Sequence, residues 1–391
     1  MRIAQVAPLY VATPPRSYGG TERVISGLTE ELVSRGHEVT LFATGDSRSS
    51  AQLVAGVPKA LGFAHLMEAG AAHVAMLAQV YARASEFDVI HAHVDYLALP
   101  FAAASPTPTI ITLHGALDLP GYAQALSAFP GLRYVSISDS QRAPVPGLNW
   151  VATVHHGIDV CSHPYTDEPG KYLLFVGRIA PEKGPDRAIA IAKRAGIPLK
   201  IAAKVDPKDR RYFQREIRPL LDDPLIEYLG PMDETHKRAL MRDALALLLP
   251  IRWTEPFGLV FIESLACGTP VLTCPMGAAP EILSEGITGY MRESDDELVE
   301  AALRVRSIAR AGCREWAERR FGLSAMADRY LSVYEAAMRK RQTQHAVDIL
   351  ATTLAGSVVP IEPIEPIEPI EPAEPVQTGV QPFSTDQAGI S

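Results

Sequence analysis

No apolar run in the chain approaches the roughly 20 residues that a membrane-spanning helix requires. Yet 47% of its 391 residues are hydrophobic, enough for a substantial dispersed core. The N-terminal stretch MRIAQVAPLY is too short in apolar residues for a signal peptide. Cysteine is scarce, and Cys161, Cys267, Cys274 and Cys313 include no Cys-x-x-Cys pair. That argues against a zinc or dithiol motif and for a reduced, intracellular chain. Basic excess is missing too. The formal charge is −8, but seven acids and no Lys or Arg lie from Ala346 onward, leaving the rest near −1. A nearly neutral body lacks the basic footprint of sequence-independent nucleic-acid binding. The expectation is a soluble, cytoplasmic protein with no nucleic-acid partner and no transmembrane segment, peripheral membrane contact being left open.

What is present is an α/β rhythm, at a length that suits two domains. The strand-like stretches RIAQVAP, HEVTLFAT, FDVIHAH and TPTIITLHG alternate with the helical patterns TERVISGLTEELVSRG and FAHLMEAGAAHVAMLAQVYARA. LRYVSISDSQR and WVATVHHGID complete that half. Residues 162–171, SHPYTDEPGK, are polar and rich in turn formers, and read as a linker. The alternation then restarts with YLLFVGR, DRAIAIAKRAG, LKIAAKV, LIEYLGP, THKRALMRDA, LALLLPI and PVLTCP. This pattern predicts two doubly wound, Rossmann-like α/β domains facing across a cleft. The expected boundaries are 1–162 and 163–322, with a C-terminal helix over 323–346 packing back across the domains. Residues 347–391 carry the repeat IEPIEPIEPIEPAEP. Its prolines forbid helix and central strand, so an extended, disordered tail is expected.

Four groups of residues bear on chemistry. Gly19 and Gly20 join the first strand to the first helix, where amides and a helix N-terminus suit an anion. A tight turn needing positive φ explains them equally well. The G-x-G-x-x-G spacing of nicotinamide enzymes is absent there. Arg178 and Lys183, in FVGRIAPEKGPD, rise at the carboxyl end of a strand. There they form either a diphosphate clamp or two solvated cations. RWTEPFGLVFIESLACGTP places Glu255 on a loop and Glu263 on the inward face of the following helix. A buried carboxylate needs donors. The hydroxyls of a ribose would supply them, as would backbone amides or a cation such as Arg252. The amides of Phe257, Gly258 and Leu259 open that helix and offer another anion site. Finally, His91 and His93 share one strand face ahead of Asp95, a spacing compatible with metal but more economically an ordinary strand.

The residues that carry a resemblance are GGTE after the first strand, SRGHEVTLFA, TLHG and VGRIAPEKG, and above all EPFGLVFIESLACGTPV followed by GAAPEIL and GITGY. Over about residues 1–340 the chain resembles a family 4 retaining glycosyltransferase of the GT-B fold. The resemblance implies an acceptor-binding first domain and a second domain binding a nucleotide-diphosphate-sugar, which serves as co-substrate with no further cofactor and no metal. It implies Arg178 and Lys183 at the diphosphate, Glu263 at the ribose, and Glu255 with the Phe257, Gly258 and Leu259 amides at the transferred sugar. Gly19 and Gly20 would close over the donor, and His114 of TLHG would contact its sugar near the anomeric centre. Saccharide, lipid-linked and small-molecule acceptors stay open. So do three rivals: a nucleotide-sugar-binding pseudoenzyme, a nucleotide-sugar isomerase and a sugar phosphorylase. A glycosidase would need both carboxylates across one sugar, whereas these two are expected at sugar and ribose. The chain departs from the family pattern at His156, at Gly277–Ala278 and at Trp253–Thr254. Lys204, at a strand end, is a further phosphate or base candidate.

Overall fold

Residues 1–16, 19–63 and 66–355 are described by the computed structural model. Met1–Thr343 forms one compact unit; Gln344–Ser391 forms a second. The first unit holds two parallel sheets. The first sheet contains β1 (Arg2–Val6), β2 (Glu38–Thr44), β3 (Gln52–Val57), β4 (Val89–Ala92), β5 (Thr109–Thr112), β6 (Arg133–Ser136) and β7 (Trp150–Thr153), in the order β3-β2-β1-β4-β5-β6-β7. The second contains β8 (Leu173–Arg178), β9 (Leu199–Lys204), β10 (Ile226–Tyr228), β11 (Ala246–Leu249), β12 (Val271–Thr273) and β13 (Gly289–Met291), in the order β10-β9-β8-β11-β12-β13. In each sheet the strand order reverses beside its first strand, between β1 and β4 and between β8 and β11. Such switch points open a crevice at the carboxyl ends of the strands. Two doubly wound sheets of this kind are the GT-B architecture expected from the sequence.

Covering a parallel sheet on both faces demands continuous apolar strands. Accordingly, Ala246, Leu247, Leu248 and Leu249 of β11 are all buried. Two of the four edge strands are the exception and escaped the sequence reading. β3 is half-exposed along its length, and β13 is a three-residue Gly-Tyr-Met strand. Neither has the burial that writes a strand into a sequence. Helix Gly20–Ser34 buries Val24, Ile25, Leu28 and Leu32. It stops at Gly36, whose φ of 81° lets the His37 N–H reach Leu32 O (3.2 Å) and its own N–H reach Val33 O (2.9 Å). These two bonds are a Schellman closure.

The last helix runs Leu323–Ala355, past the expected end at 346. VDILATTLA contains no proline or glycine, so nothing local stops it before Gly356. The IEP repeat lies outside the described residues. Among those described, no helix is long and apolar enough to cross a membrane.

The chain leaves the core of the first sheet after Val154 and enters that of the second by Ile158; it returns between Phe321 and Met326. The two crossings lie together. The Ile158 N–H bonds Phe321 O at 2.8 Å, and a Cβ on Gly157 would stand 2.8 Å from Gly322 O. On its return the last helix covers the first sheet with Met326, Tyr330 and Tyr334, on the same side as Val24 and Leu28. The buried Tyr334 hydroxyl lies 2.6 Å from His91 Nδ1 and accepts from Gln5 Nε2 at 3.2 Å, while Tyr330 O–H meets Thr112 Oγ1 at 3.1 Å. Removing one hydroxyl strands its buried partners. Tyr334→Phe should therefore lower stability by about 1–3 kcal/mol, read as an earlier urea midpoint at unchanged m-value. An unchanged midpoint would show that the network contributes nothing to holding the helix.

Candidate functional site

The two sheets present their carboxyl ends to one cleft, which holds two adjoining cavities. The first, of about 510 Å³, is lined from the first sheet by the segments after β1, β4 and β5, including Asp95, Tyr96 and His114. The second, of about 360 Å³, receives Arg178 from the end of β8, Lys204 from the end of β9, and Lys183 and Glu263. Gly19, Gly20, Glu255, Gly258 and Leu259 line both. His114 and Phe257 line the first cavity; Arg178, Lys183 and Glu263 line the second. Every site residue predicted from the sequence thus faces one or both cavities.

The glycines answer to space as well as to conformation. A Cβ on Gly19 would stand 2.8 Å from the Pro15 Cβ and 2.9 Å from a Glu22 carboxylate oxygen. Gly258, the N-cap of helix Leu259–Ala266, has φ 88°, and a Cβ there would strike the Phe261 ring at 2.6 Å. Gly277, φ 59°, lies against the Glu255 backbone, and the Ala278 N–H donates to Glu255 O at 2.9 Å. The loop bearing Glu255 is therefore shaped by the GAAPE segment.

Glu263 is 3% exposed, and neither Arg252 nor a backbone amide satisfies it. Arg252 pairs instead with Asp186. The partners of Glu263 are Arg23 Nη1 at 2.7 Å, from the first helix, and Lys237 Nζ at 3.0 Å, from helix Glu234–Arg242. Burial pushes this carboxyl up, but Lys237, Arg23 and His163 together hold it below its ordinary value. Glu234 ties the same cations together, at 2.7 Å from Arg23 and 2.9 Å from Lys237. The sequence reading missed Arg23 and Lys237. Only Arg23 left a signal, one helical turn beyond Gly19 in GGTER.

The other cations are also enclosed by carboxylates. Arg178 meets Glu182 (2.6 Å), Asp209 (3.1 Å) and Asp206 (3.5 Å). Lys183 is ion-paired with Glu255 and sits 4.6 Å from the centroid of the Trp253 ring, whose Nε1 donates to Glu255 at 3.0 Å. The departure at Trp253 thus builds a cage around this pair. Glu22, in the first turn of the first helix, was also missed; burial pushes its carboxyl up to about 7.

A line of neutral imidazoles reaches the first cavity. Burial drives His114 down to about 3 and His91, His93 and His156 well below their ordinary value. A neutral imidazole has one donor and one acceptor. Gln5 donates its amide N–H to Tyr334, so its Oε1 accepts from His93 Nε2 at 2.9 Å. The other nitrogen of His93, Nδ1, then accepts from His114 Nε2 at 2.8 Å. His114 is left with an unprotonated Nδ1 that has no partner. His91 is engaged by Tyr334 and Thr112. Both strand histidines thus have protein partners.

The charge cluster generates a pH prediction. Glu263 has a depressed pKa in the folded state, so its stabilisation is present above the unfolded value and is lost as pH falls through the folded one. The stability difference between the wild type and Glu263→Gln should be largest near neutrality and shrink below about pH 4.3. Urea titrations across that range measure it. A difference that stays constant with pH would mean that the ionised carboxylate is not the stabilising species.

Comparison with known proteins follows the same division of the chain. Residues 18–161 match the family described as Glycosyltransferase Family 4, and residues 164–313 match Glycosyl transferases group 1. A glycogen synthase of Mycobacterium tuberculosis (strain CDC 1551 / Oshkosh) is 28% identical over 418 residues, spanning 90% of this chain and 99% of that one. AviGT4, a glycosyltransferase involved in avilamycin A biosynthesis, shares the fold with TM-score 0.68 at 23% identity, over 86% of this chain and 98% of its own. So does Anabaena HepE in complex with UDP-glucose, with TM-score 0.65 at 15% identity, over 86% of this chain and 100% of its own. Matched by glycosyltransferase families through both of its sheets, this chain belongs to the family 4 glycosyltransferases of the GT-B fold.

Proposed function

We propose that the chain transfers a glycosyl group from a nucleoside-diphosphate sugar to an acceptor hydroxyl with retention at the anomeric carbon. The observation that carries this reading is the second cavity, where Arg178, Lys183 and Glu263 converge with Gly19, Gly20 and the N-terminus of helix Leu259–Ala266. Two cations and a helix N-terminus suit a diphosphate without a metal ion. A buried carboxylate beside them suits the two hydroxyls of a ribose. Bound UDP-glucose in HepE supports a nucleotide donor, and membership of family 4 supports retention.

In this reading a diphosphate draws Lys183 away from Glu255 and competes with the carboxylates around Arg178. Glu255, released, turns to the hydroxyls of the transferred sugar, together with the amides of Phe257, Gly258 and Leu259. His114 offers its unprotonated Nδ1 to a sugar hydroxyl near the anomeric centre. The acceptor oxygen forms the new bond to the anomeric carbon as the bond from that carbon to the phosphate oxygen breaks. The nucleoside diphosphate departs with the electron pair, and its leaving oxygen takes the acceptor's proton on the same face. Arg178 and Lys183 stabilise the charge that develops there.

Thermal-shift measurements with UDP-, GDP- and ADP-sugars test the donor. A ligand at about 100 times its dissociation constant adds roughly 2.7 kcal/mol. One nucleotide should stabilise the wild type, and Glu263→Ala should weaken its binding about tenfold or more. A folded Glu263→Ala variant of wild-type affinity would remove the ribose assignment; no stabilisation by any of them would overturn the donor reading. Lys183→Ala should lower kcat by about 10²-fold or more, and Glu255→Ala should lose transfer more than nucleotide affinity. The reverse pattern for Glu255 would place it at the nucleotide. Proton NMR of the first-formed product reads the anomeric configuration, and inversion would refute retention.

A further inference from the structure

The first cavity differs from the second in chemistry. Among the described residues no Lys or Arg lines it, whereas Glu22, Asp95 and Glu255 do. Its outer wall is aromatic. Tyr10 stacks on Phe63 with ring centroids 5.3 Å apart and planes 15° from parallel, and Tyr96 meets Tyr122 edge to face at 5.3 Å. Tyr10, Phe63 and Tyr96 all line the cavity, yet Phe63 is 60% and Tyr96 46% exposed. Grouped aromatic faces held open to water at a cavity mouth mark a surface kept for contact.

Asp95 stands between these rings and His114. It is the one non-glycine among the described residues with left-handed backbone, φ 51°. That conformation costs free energy and persists where the surrounding structure holds it, commonly at ligand sites. Burial pushes its carboxyl up to about 6, against the pull of the Tyr122 hydroxyl and the His114 backbone N–H. Its Oδ1 has no hydrogen-bond partner. His156, 4% exposed and on the same lining, likewise has an unpartnered Nδ1. The protein therefore leaves the Asp95 Oδ1 acceptor and the His156 Nδ1 without partners beside an aromatic wall, in a cavity that no Lys or Arg lines among the described residues.

We propose that this cavity is the acceptor subsite and that it takes an uncharged sugar ring, with Asp95 accepting from its hydroxyls and Tyr10, Phe63 and Tyr96 covering its C–H face. The inference rests on the donor reading above, which places the transferred sugar at the shared wall of the two cavities. A sugar supplies hydroxyl donors at one edge and an apolar face, the two complements the lining lacks. A phosphorylated ring would bring its charge beside Glu22, Asp95 and Glu255 in a lining that holds no Lys or Arg among the described residues, the Lys183 ammonium behind it being already paired with Glu255. A phospholipid headgroup would meet the same surroundings. The occupant of this subsite is thus the neutral glycosyl end of the acceptor, whatever that end is attached to.

The test uses the full chain saturated with whichever nucleoside diphosphate stabilises it. Saturation-transfer NMR titrations would compare methyl glycosides of glucose, galactose, mannose and N-acetylglucosamine with their 6-phosphates and with phosphatidylinositol vesicles. A neutral glycoside should bind about tenfold or more tightly than its phosphate. Asp95→Asn should weaken that binding about tenfold. Phe63→Ala, at an exposed position, should weaken it several-fold without disturbing folding. Nucleotide affinity should be unchanged in both variants. Preference for a 6-phosphate or for the vesicles, no binding by any neutral glycoside, or wild-type sugar affinity in both variants would overturn the assignment. Loss of sugar binding with intact nucleotide binding in the wild type sinks this inference alone; loss of both sinks the donor reading beneath it.

Discussion

Burying the Glu263 carboxylate in an apolar helix constrains much of the molecule around it. At 3% exposure it needs charged donors. They come from two other elements: Arg23 on the helix that follows β1, and Lys237 on the helix that precedes β11. Breaking a buried pair by removing one partner typically costs about 3–5 kcal/mol, whereas an intact pair adds little over an apolar substitute. What the cluster supplies is therefore position more than stability. Arg23 is one helical turn from Gly19, so the contact that neutralises Glu263 also presses the diglycine turn of the first sheet toward the second. A Cβ on Gly20 would stand 3.1 Å from the Leu259 side chain. The shared wall of the two cavities is thus drawn together by one charge requirement.

Other contacts close the cleft at its far end. Glu281 accepts from the backbone N–H groups of Asp139 (2.7 Å) and Ser140 (2.8 Å), while Ser138 Oγ donates to Pro256 O at 2.7 Å. The Glu255 loop is held from both sides, by this bond through Pro256 and by Gly277 behind it. Two paired crossings of the chain, near Gly157 and Gly322, complete the frame. The last helix joins it through polar atoms. Its Tyr334 is the origin of the hydrogen-bond chain through Gln5 and His93 that leaves His114 with a bare nitrogen. A helix added after both domains thereby sets the protonation pattern of an imidazole in the cleft.

The division of charge across the cleft follows from the same construction. Cations stand at the ends of β8 and β9 and on the two helices that neutralise Glu263, all on one cavity. The other cavity is walled by β1, β4 and β5 loops that bring aromatic rings, imidazoles and carboxylates. One side suits phosphate and the other a neutral polar ring, and in the proposed reaction the transferred group would lie where they meet. Glycosyl transfer makes that demand on any such cleft: the leaving group is anionic and the nucleophile is an alcohol.

The amino-acid sequence alone determined the two doubly wound sheets, the location of the first helix, and a subset of the residues that line the cleft, from Gly19 and Gly20 to Glu255 and Glu263. Local patterning carries these features: apolar strands buried on both faces, helical periodicity, and turns that end at particular glycines. Edge strands β3 and β13 stayed hidden because partial burial writes no continuous apolar run. The partners of Glu263 stayed hidden because a charge pair across 240 or 26 residues has no periodicity. Arg252, its nearest cation in sequence, bonds Asp186 instead. Asp95 stood out in the sequence only through its metal-like spacing from His91 and His93, since its left-handed backbone and unpaired oxygen are properties of its surroundings. Sequence named some of the side chains that reach the cleft. Only tertiary structure decided which charges cancel, which histidine nitrogen is bare and which cavity holds no cation, because each depends on atoms that meet across the fold.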